Sequence, residues 1–178
     1  EQNIGQIENV DIKLSMFNLV NKKNFTSNSI HLDNVKINLN LNNFNYYKNT
    51  FEKNLISKSI YLTRGTINFF DNEKNLTSIQ KADVKYIFKE KFNNIVLNGL
   101  FLDEPILIEL DNGREENQKK LTVKLPKTKA LLKADIFNKF SDKNGFYGNL
   151  LYKQGKIRFV SEYNFQKNKL ILKSGNIR

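Results

Sequence analysis

Apolar residues recur at every second position along most of this chain, and that period leaves few folds open. Val10, Ile12, Leu14 and Met16 alternate with Asp11, Lys13 and Ser15, and Val35, Ile37, Leu39 and Leu41 alternate with Lys36, Asn38 and Asn40. The pattern returns at Ile67 and Phe69, then at Ala82, Val84, Tyr86 and Phe88. It continues through Ile106, Ile108 and Leu110, then Leu121, Val123 and Leu125, then Ile157 and Phe159, then Leu170 and Leu172. Successive side chains on a strand point to opposite faces, so each run has one oily side and one wet side. The expected fold class is all-β: a mostly antiparallel meander forming a curved, groove-like sheet, with room for one short helix.

The punctuation between the runs agrees. Asp71-Asn72-Glu73-Lys74-Asn75 is a polar loop of hairpin size, and Asp111-Asn112-Gly113 carries an Asn-Gly turn signal. Lys143-Asn144-Gly145, Gln154-Gly155 and Gln166-Lys167-Asn168 follow at intervals of about ten residues, the spacing of a meander of short strands. The apolar phase shifts between Leu62 and Ile67, so a bulge is expected at Gly65. Pro105 and Pro126 stand at the edges of apolar runs, where a missing N–H harms little. The stretch KTKALLKADIFNKF has a helical stripe through Leu132, Ile136 and Phe140, but Leu132, Ala134 and Ile136 also alternate, and strand is preferred. A short helical turn around MFNLVNKK is the other candidate exception. With 178 residues, one domain over 1–178 is the expectation.

Charge narrows the function less than its size suggests. Lys and Arg number 29 against 18 Asp and Glu, a formal charge of +11, which favours anionic partners. The lysines are spread along the chain without a block, and Asn makes up about one residue in six. Aromatic and basic residues interleave in Tyr86-Ile87-Phe88-Lys89 and Lys156-Ile157-Arg158-Phe159. Those aromatics lie in phase with Val and Ile, which assigns them to the apolar side and argues against a nucleic-acid stacking platform. Cysteine is absent, which excludes disulfides and thiolate metal sites. No apolar run approaches the roughly 18–20 residues that span a bilayer as a helix. The first residues contain neither an initiator Met nor a basic leader, so a piece of a longer chain is expected, with any targeting or anchoring segment outside it.

Little in the sequence is equipped for catalysis. His31 is the only histidine, and it has no partners at the spacing of a metal site or a triad. Asp103-Glu104 and Glu115-Glu116 are adjacent pairs, whose members face opposite ways on a strand. Neither a nucleophile elbow nor a phosphate-cradling glycine pattern occurs. Asn24-Phe25-Thr26 and Asn75-Leu76-Thr77 match the glycosylation sequon, which an Asn-rich chain reaches by chance. The expectation is a protein that is not an enzyme, with no cofactor and no metal. What stands out is the apolar face and its 14 Phe. Left uncovered, such a face offers hydrocarbon about 25 cal/mol per Å² of transfer free energy. Its expected lining is Ile67, Phe69, Val84, Tyr86, Phe88, Ile106, Ile108, Leu121, Val123, Ile157 and Phe159.

The middle of the chain also resembles a known family. Ser59-Ile60-Tyr61-Leu62 leads into Arg64-Gly65-Thr66-Ile67, an aromatic pair and Asp71. Ile79-Gln80-Lys81-Ala82-Asp83-Val84 and Ile95-Val96-Leu97-Asn98-Gly99 follow. This series is similar to the AsmA family of bacterial envelope proteins. FLDEPILIELDN resembles the next strand of such domains, and KIRFVSEYNFQKNKLILKSGNIR resembles their later meander, so the likeness covers about residues 55–178. The resemblance implies a periplasmic, inner-membrane-anchored protein of repeating β-groove units that guides phospholipid in outer-membrane biogenesis. It brings no catalytic residues, and Gly65, Asp71 and Gly99 are its motif positions, with turn or packing roles. Two alternatives stand beside it: a structural, protein-binding β-sandwich, and a lipopolysaccharide-transport type of β-jellyroll module.

Overall fold

A computed structural model of the chain describes residues 5–14, 27–43, 47, 58–89, 92–112, 118–138, 145–166, 169–173 and 176–177. Among these the fold is all-β, as the alternation requires. The strands are β1 (Gly5–Leu14), β2 (Ser27–Asn40), β3 (Ser59–Asp71), β4 (Lys74–Lys89), β5 (Phe92–Phe101) and β6 (Glu104–Asn112). After them come β7 (Gln118–Leu125), β8 (Ala130–Asn138), β9 (Phe146–Gln154), β10 (Ile157–Gln166), β11 (Lys169–Leu172) and β12 (Asn176–Ile177). Within the ambiguous KTKALLKADIFNKF stretch Ala130–Asn138 is strand β8, and a 3₁₀ turn follows β2 at Leu41–Asn43. The helical turn considered around MFNLVNKK lies outside the described residues, as do Glu115 and Glu116.

Contacts gather the chain into two compact units, Glu1–Phe88 with Leu97–Asp103, and Lys89–Val96 with Glu104–Arg178. In the first unit the strand order is β1-β2-β3-β4-β5. β1 with β2 and β3 with β4 are antiparallel, while β2 and β3 run parallel. A parallel pair needs a crossover of a dozen residues or more, and residues 41–58 supply it. The parallel register stacks like on like: Ile30 faces Ile60, Leu32 faces Leu62, Ile37 faces Ile67 and Asn38 faces Asn68. Asn68 is buried and donates from Nδ2 to Asn38 Oδ1 at 2.9 Å, which satisfies one polar pair inside the ladder.

A row of left-handed residues crosses these strands. Asn34 on β2 (φ 49) and Arg64 on β3 (φ 54) occupy equivalent register positions, and Lys81 on β4 (φ 48) follows on the next strand. The β3–β4 register slips between Leu62 and Gly65, and again between Gly65 and Ile67. Each slip inserts one residue, so the apolar set steps by three at Leu32/Val35, Leu62/Gly65 and Ile79/Ala82 and stays on one face. The phase change visible at Gly65 is therefore one member of an aligned crease. Val35, Leu62, Ile67, Ile79, Ala82 and Leu97 are buried along it and form the core of this unit.

The second unit is an antiparallel meander in the order β5-β6-β7-β8-β9-β10-β11, with β12 beside β10. Its turns are tight. Gln154 pairs with Ile157 around Gly155 (φ 56), and Lys129 (φ 54) closes the Pro126–Lys129 turn through its N–H to Pro126 O at 3.3 Å. In the first unit Asp71 pairs with Lys74, so the expected five-residue loop is a two-residue turn with Asn72 at φ 53.

Candidate functional site: an apolar sheet face

Register places the second unit's apolar residues in rows that run straight across the strands. Ile108, Val123, Leu132, Tyr152 and Phe159 form one row. Leu110, Leu121, Ala134, Leu150 and Ser161 form the next. Phe146, Phe165 and Leu170 continue the same face towards the other end of the sheet, and Phe146 stacks on Phe165 at 4.6 Å between centroids. Paired residues on neighbouring strands share a face, so these rows make one continuous apolar surface. It is thinly covered. Ile106 and Ala134 are buried, most of the others are half-buried, and Ile157, Leu170 and Leu172 are 56%, 58% and 47% exposed. Among the described residues of this unit, substantial contacts between elements are confined to strands adjacent in the sheet. Within this unit, no second sheet or helix of described residues lies on the face.

All six sequence-predicted lining residues of this unit fall on that surface. Ile108, Val123 and Phe159 share a row, Leu121 sits in the next, and Ile106 and Ile157 lie at the hairpin-tip end. Ile67, Phe69, Val84 and Tyr86 share a face of the first unit, where Ile67 is buried and the other three are half-buried. Burial pushes the Tyr86 phenol above its ordinary pKa. Phe88 lies in β4, but its side chain is outside the described residues. Gly65 sits at the bulge, where an added Cβ would meet the Leu62 side chain and stand 3.2 Å from the carbonyl oxygens of Ala82 and Val35. A Cβ on Gly99 would stand 2.6 Å from Ile79 Cγ2. Asp71 accepts from Asn42 Nδ2 at 3.0 Å beside the β3–β4 turn.

The polar groups build braces, with no reactive constellation among the described residues. His31 accepts or donates at 3.1 Å with Ser29 Oγ and stacks on Tyr61, its parallel-register partner, at 4.8 Å. Glu104 accepts the Thr128 N–H at 2.7 Å and ties β6 to the β7–β8 turn, while Asp103 (φ 60) is a turn residue. No group of His, Cys, Asp and Glu among the described residues is placed to hold a metal ion, and no described helix is long and apolar enough to cross a membrane. A depression of about 440 Å³ in the second unit is bordered by Phe137, Tyr147, Asn149, Glu162, Asn164 and Lys173. Apart from Gly148 and Tyr163, its walls belong to the side of the sheet opposite the apolar rows.

An ionic contact braces the crease. Arg64 grips Asp33 with two guanidinium nitrogens, Thr63 Oγ1 donates to the same carboxylate at 2.9 Å, and the Arg64 N–H donates to Asp83 Oδ1 at 3.1 Å. Hydrogen bonds from Arg64 and then Thr63 hold the Asp33 carboxyl down from 3.8 to about 2. The folded pKa is the lower one, so this contribution to stability is full above the unfolded value and is lost as pH falls towards about 2. An NMR carboxyl titration should give Asp33 a midpoint near 2, and Arg64→Gln should move it back towards the ordinary range. A normal midpoint in the unaltered chain would remove the crease's ionic brace.

Three features had signals in the sequence that alternation alone did not expose. The parallel β2–β3 pair was legible as a repeat, since SIHLDNVKIN at Ser29 matches SIYLTRGTIN at Ser59 in outline. Leu132, Leu150 and Tyr152 belong to the apolar surface as fully as the residues named for it. Gly148 interrupts the alternating run Phe146, Leu150, Tyr152, a glycine pattern that signals close backbone approach. No protein-family model matches the chain, and no curated protein or solved structure matches it either.

Proposed function

We propose that this chain is a non-enzymatic lipid-binding module, an AsmA-like β-groove unit of a periplasmic envelope protein that holds or guides phospholipid acyl chains. The observation that carries the reading is the half-exposed apolar surface of the second unit, continuous from Ile108 on β6 to Phe159 on β10. A single-layered sheet with such a face has unspent transfer free energy, about 25 cal/mol per Å², and acyl chains satisfy it without requiring a specific polar site. Headgroups would stay in water, where lysines at the sheet's margins can meet phosphate. Further units of the same kind would extend the surface along a longer protein.

Native mass spectrometry and organic extraction of the purified chain test this. Phospholipid should leave with the chain at near-stoichiometric amounts and be lost on washing with a competing detergent. A lipid-free monomer would overturn the reading. A lipid-free dimer, with the apolar faces packed on each other, would instead establish the protein-binding β-sandwich.

A further inference from the structure

Among the described residues, the net positive charge of the second unit gathers at one end of its sheet. The β7–β8 turn (Pro126–Lys129) and the β9–β10 turn (Gly155–Lys156) lie side by side, because Ala130 pairs with Gln154 and Gln154 with Ile157. These tips carry Lys127, Lys129 and Lys156, all exposed. Just behind them Leu131, Lys153 and Arg158 form a row on the face opposite the apolar surface, with Lys133 on the row beyond. All six cations are exposed, and none makes an ion pair among the described residues. Lys124 beside them is the exception, 3.5 Å from Glu109. The carboxylates of this end are fewer than its cations: Glu109 pairs with Lys124, Glu104 accepts the Thr128 N–H and keeps its charge, and exposed Asp103 precedes it. Asp111 and Glu162 sit further along their strands, and Asp135 lies two residues beyond Lys133. Six unpaired like charges repel one another in the free chain, so an anionic surface relieves a cost that the fold itself carries.

We infer that this end of the second unit docks on the surface of an anionic phospholipid membrane. Charge complementarity is the first argument, each Lys or Arg near such a surface favouring binding by about fivefold. The second is that the same tip holds exposed hydrocarbon. Ile157 is 56% exposed between Lys156 and Arg158, the arrangement in which an apolar residue enters the headgroup region while its flanking cations remain with phosphates. A nucleic acid suits the patch less well, because single strands need bases stacked on aromatic rings. The cationic face here offers Leu131, Leu151 and Val160, while Tyr152 and Phe159 are on the other side. The inference rests on the charge distribution and stands whether or not the apolar face carries acyl chains.

Sedimentation of the whole chain with vesicles tests it, using phosphatidylcholine alone and phosphatidylcholine with about a third phosphatidylglycerol. The chain should pellet with the anionic vesicles alone, and the affinity should fall steeply with added salt. The triple reversal Lys127→Glu, Lys129→Glu and Lys156→Glu alters exposed turn side chains and should weaken binding on the order of 100-fold. Its circular dichroism spectrum should match that of the unaltered chain. A control reversal in the first unit, Lys36→Glu with Lys74→Glu and Lys85→Glu, removes the same charge and should weaken binding far less. Equal pelleting with both vesicle types, or equal loss in both triple variants, would overturn the docking surface. So would retention on a 20-nucleotide oligouridylate combined with no vesicle binding. Extraction of bound lipid from the tip variant keeps the two readings separate, since acyl chains held on the face should survive the tip reversal.

Discussion

Gly148→Ala should destabilise the second unit by about 3 kcal/mol or more, although the substitution adds a single methyl group in a strand. The reason is local and steric. A Cβ built on Gly148 would fall inside the van der Waals radius of the Asp135 carbonyl oxygen on β8, and that atom is backbone, on a residue paired with Lys120 of β7. Tyr163 closes the gap from β10. Its register partner is Gly148, its ring edge lies 3.3 Å from where the Cβ would stand, and its Oη donates to Asp135 O at 3.0 Å. An aromatic ring laid over a strand glycine replaces the missing side chain with apolar cover. Other glycines give the scale. A Cβ on Gly155 meets nothing within 4 Å, so Gly155→Ala should cost only the strain of φ 56, on the order of 1 kcal/mol. Urea unfolding of the two variants should separate them clearly, and equal midpoints would mean that β8 and β9 do not approach as closely as described. Tyr163 adds a pH signature. Burial pushes its phenol up to about 12, with the Asp135 carboxylate adding to the effect. The neutral form is the one the fold prefers, so its contribution is full below about 10 and fades as pH rises towards 12. Tyr163→Phe should lose about 1 kcal/mol at neutral pH and show a smaller alkaline loss than the unaltered chain.

Alternation decided the fold class because the sheet has a wet side and an oily side, and a period of two cannot serve any other element. In the second unit Ile108, Val123 and Phe159, chosen from three separate runs, meet in one register row. Direction and register were less accessible. Alternation carries no information on which way a strand returns, and the signal for the parallel β2–β3 pair lay instead in the repeat of SIHLDNVKIN as SIYLTRGTIN. The crease was visible at Gly65 because glycine marks bulges, and hidden at Asn34 and Lys81, where the left-handed residue keeps an ordinary side chain. Whether an oily face is core or surface was not legible at all. Ile67 and Val123 sit in similar alternating runs, yet Ile67 is buried and Val123 half-exposed, because burial is set by what lies over a residue rather than by its own spacing. Charge was similar: the sequence spreads its lysines, and only the hairpin register brings Lys127, Lys129 and Lys156 to one end.

That distinction makes Val123→Asp the most informative single change on the apolar face. Val123 sits mid-row between Ile108 and Leu132, half-exposed, with the carboxylate of an Asp there free to reach water in the lipid-free chain. Stability should therefore fall by no more than about 1–2 kcal/mol, the loss of a β-branched residue from a partly covered strand. Acyl binding should fall far more. Hydrocarbon laid along the row would bury that carboxylate without a partner, and an unpaired charge placed in an apolar contact costs several kcal/mol, on the order of 100-fold or more in lipid retained. Thr122→Asp, on the opposite face beside Lys133, adds the same charge and should leave lipid retention unchanged. A sealed core would reverse the pattern for Val123→Asp, because the chain itself would then hold the carboxylate out of water and unfold readily, with no lipid present to lose. Chemical denaturation and lipid extraction on the same two variants thus distinguish a surface that takes up hydrocarbon from one that the protein keeps for itself.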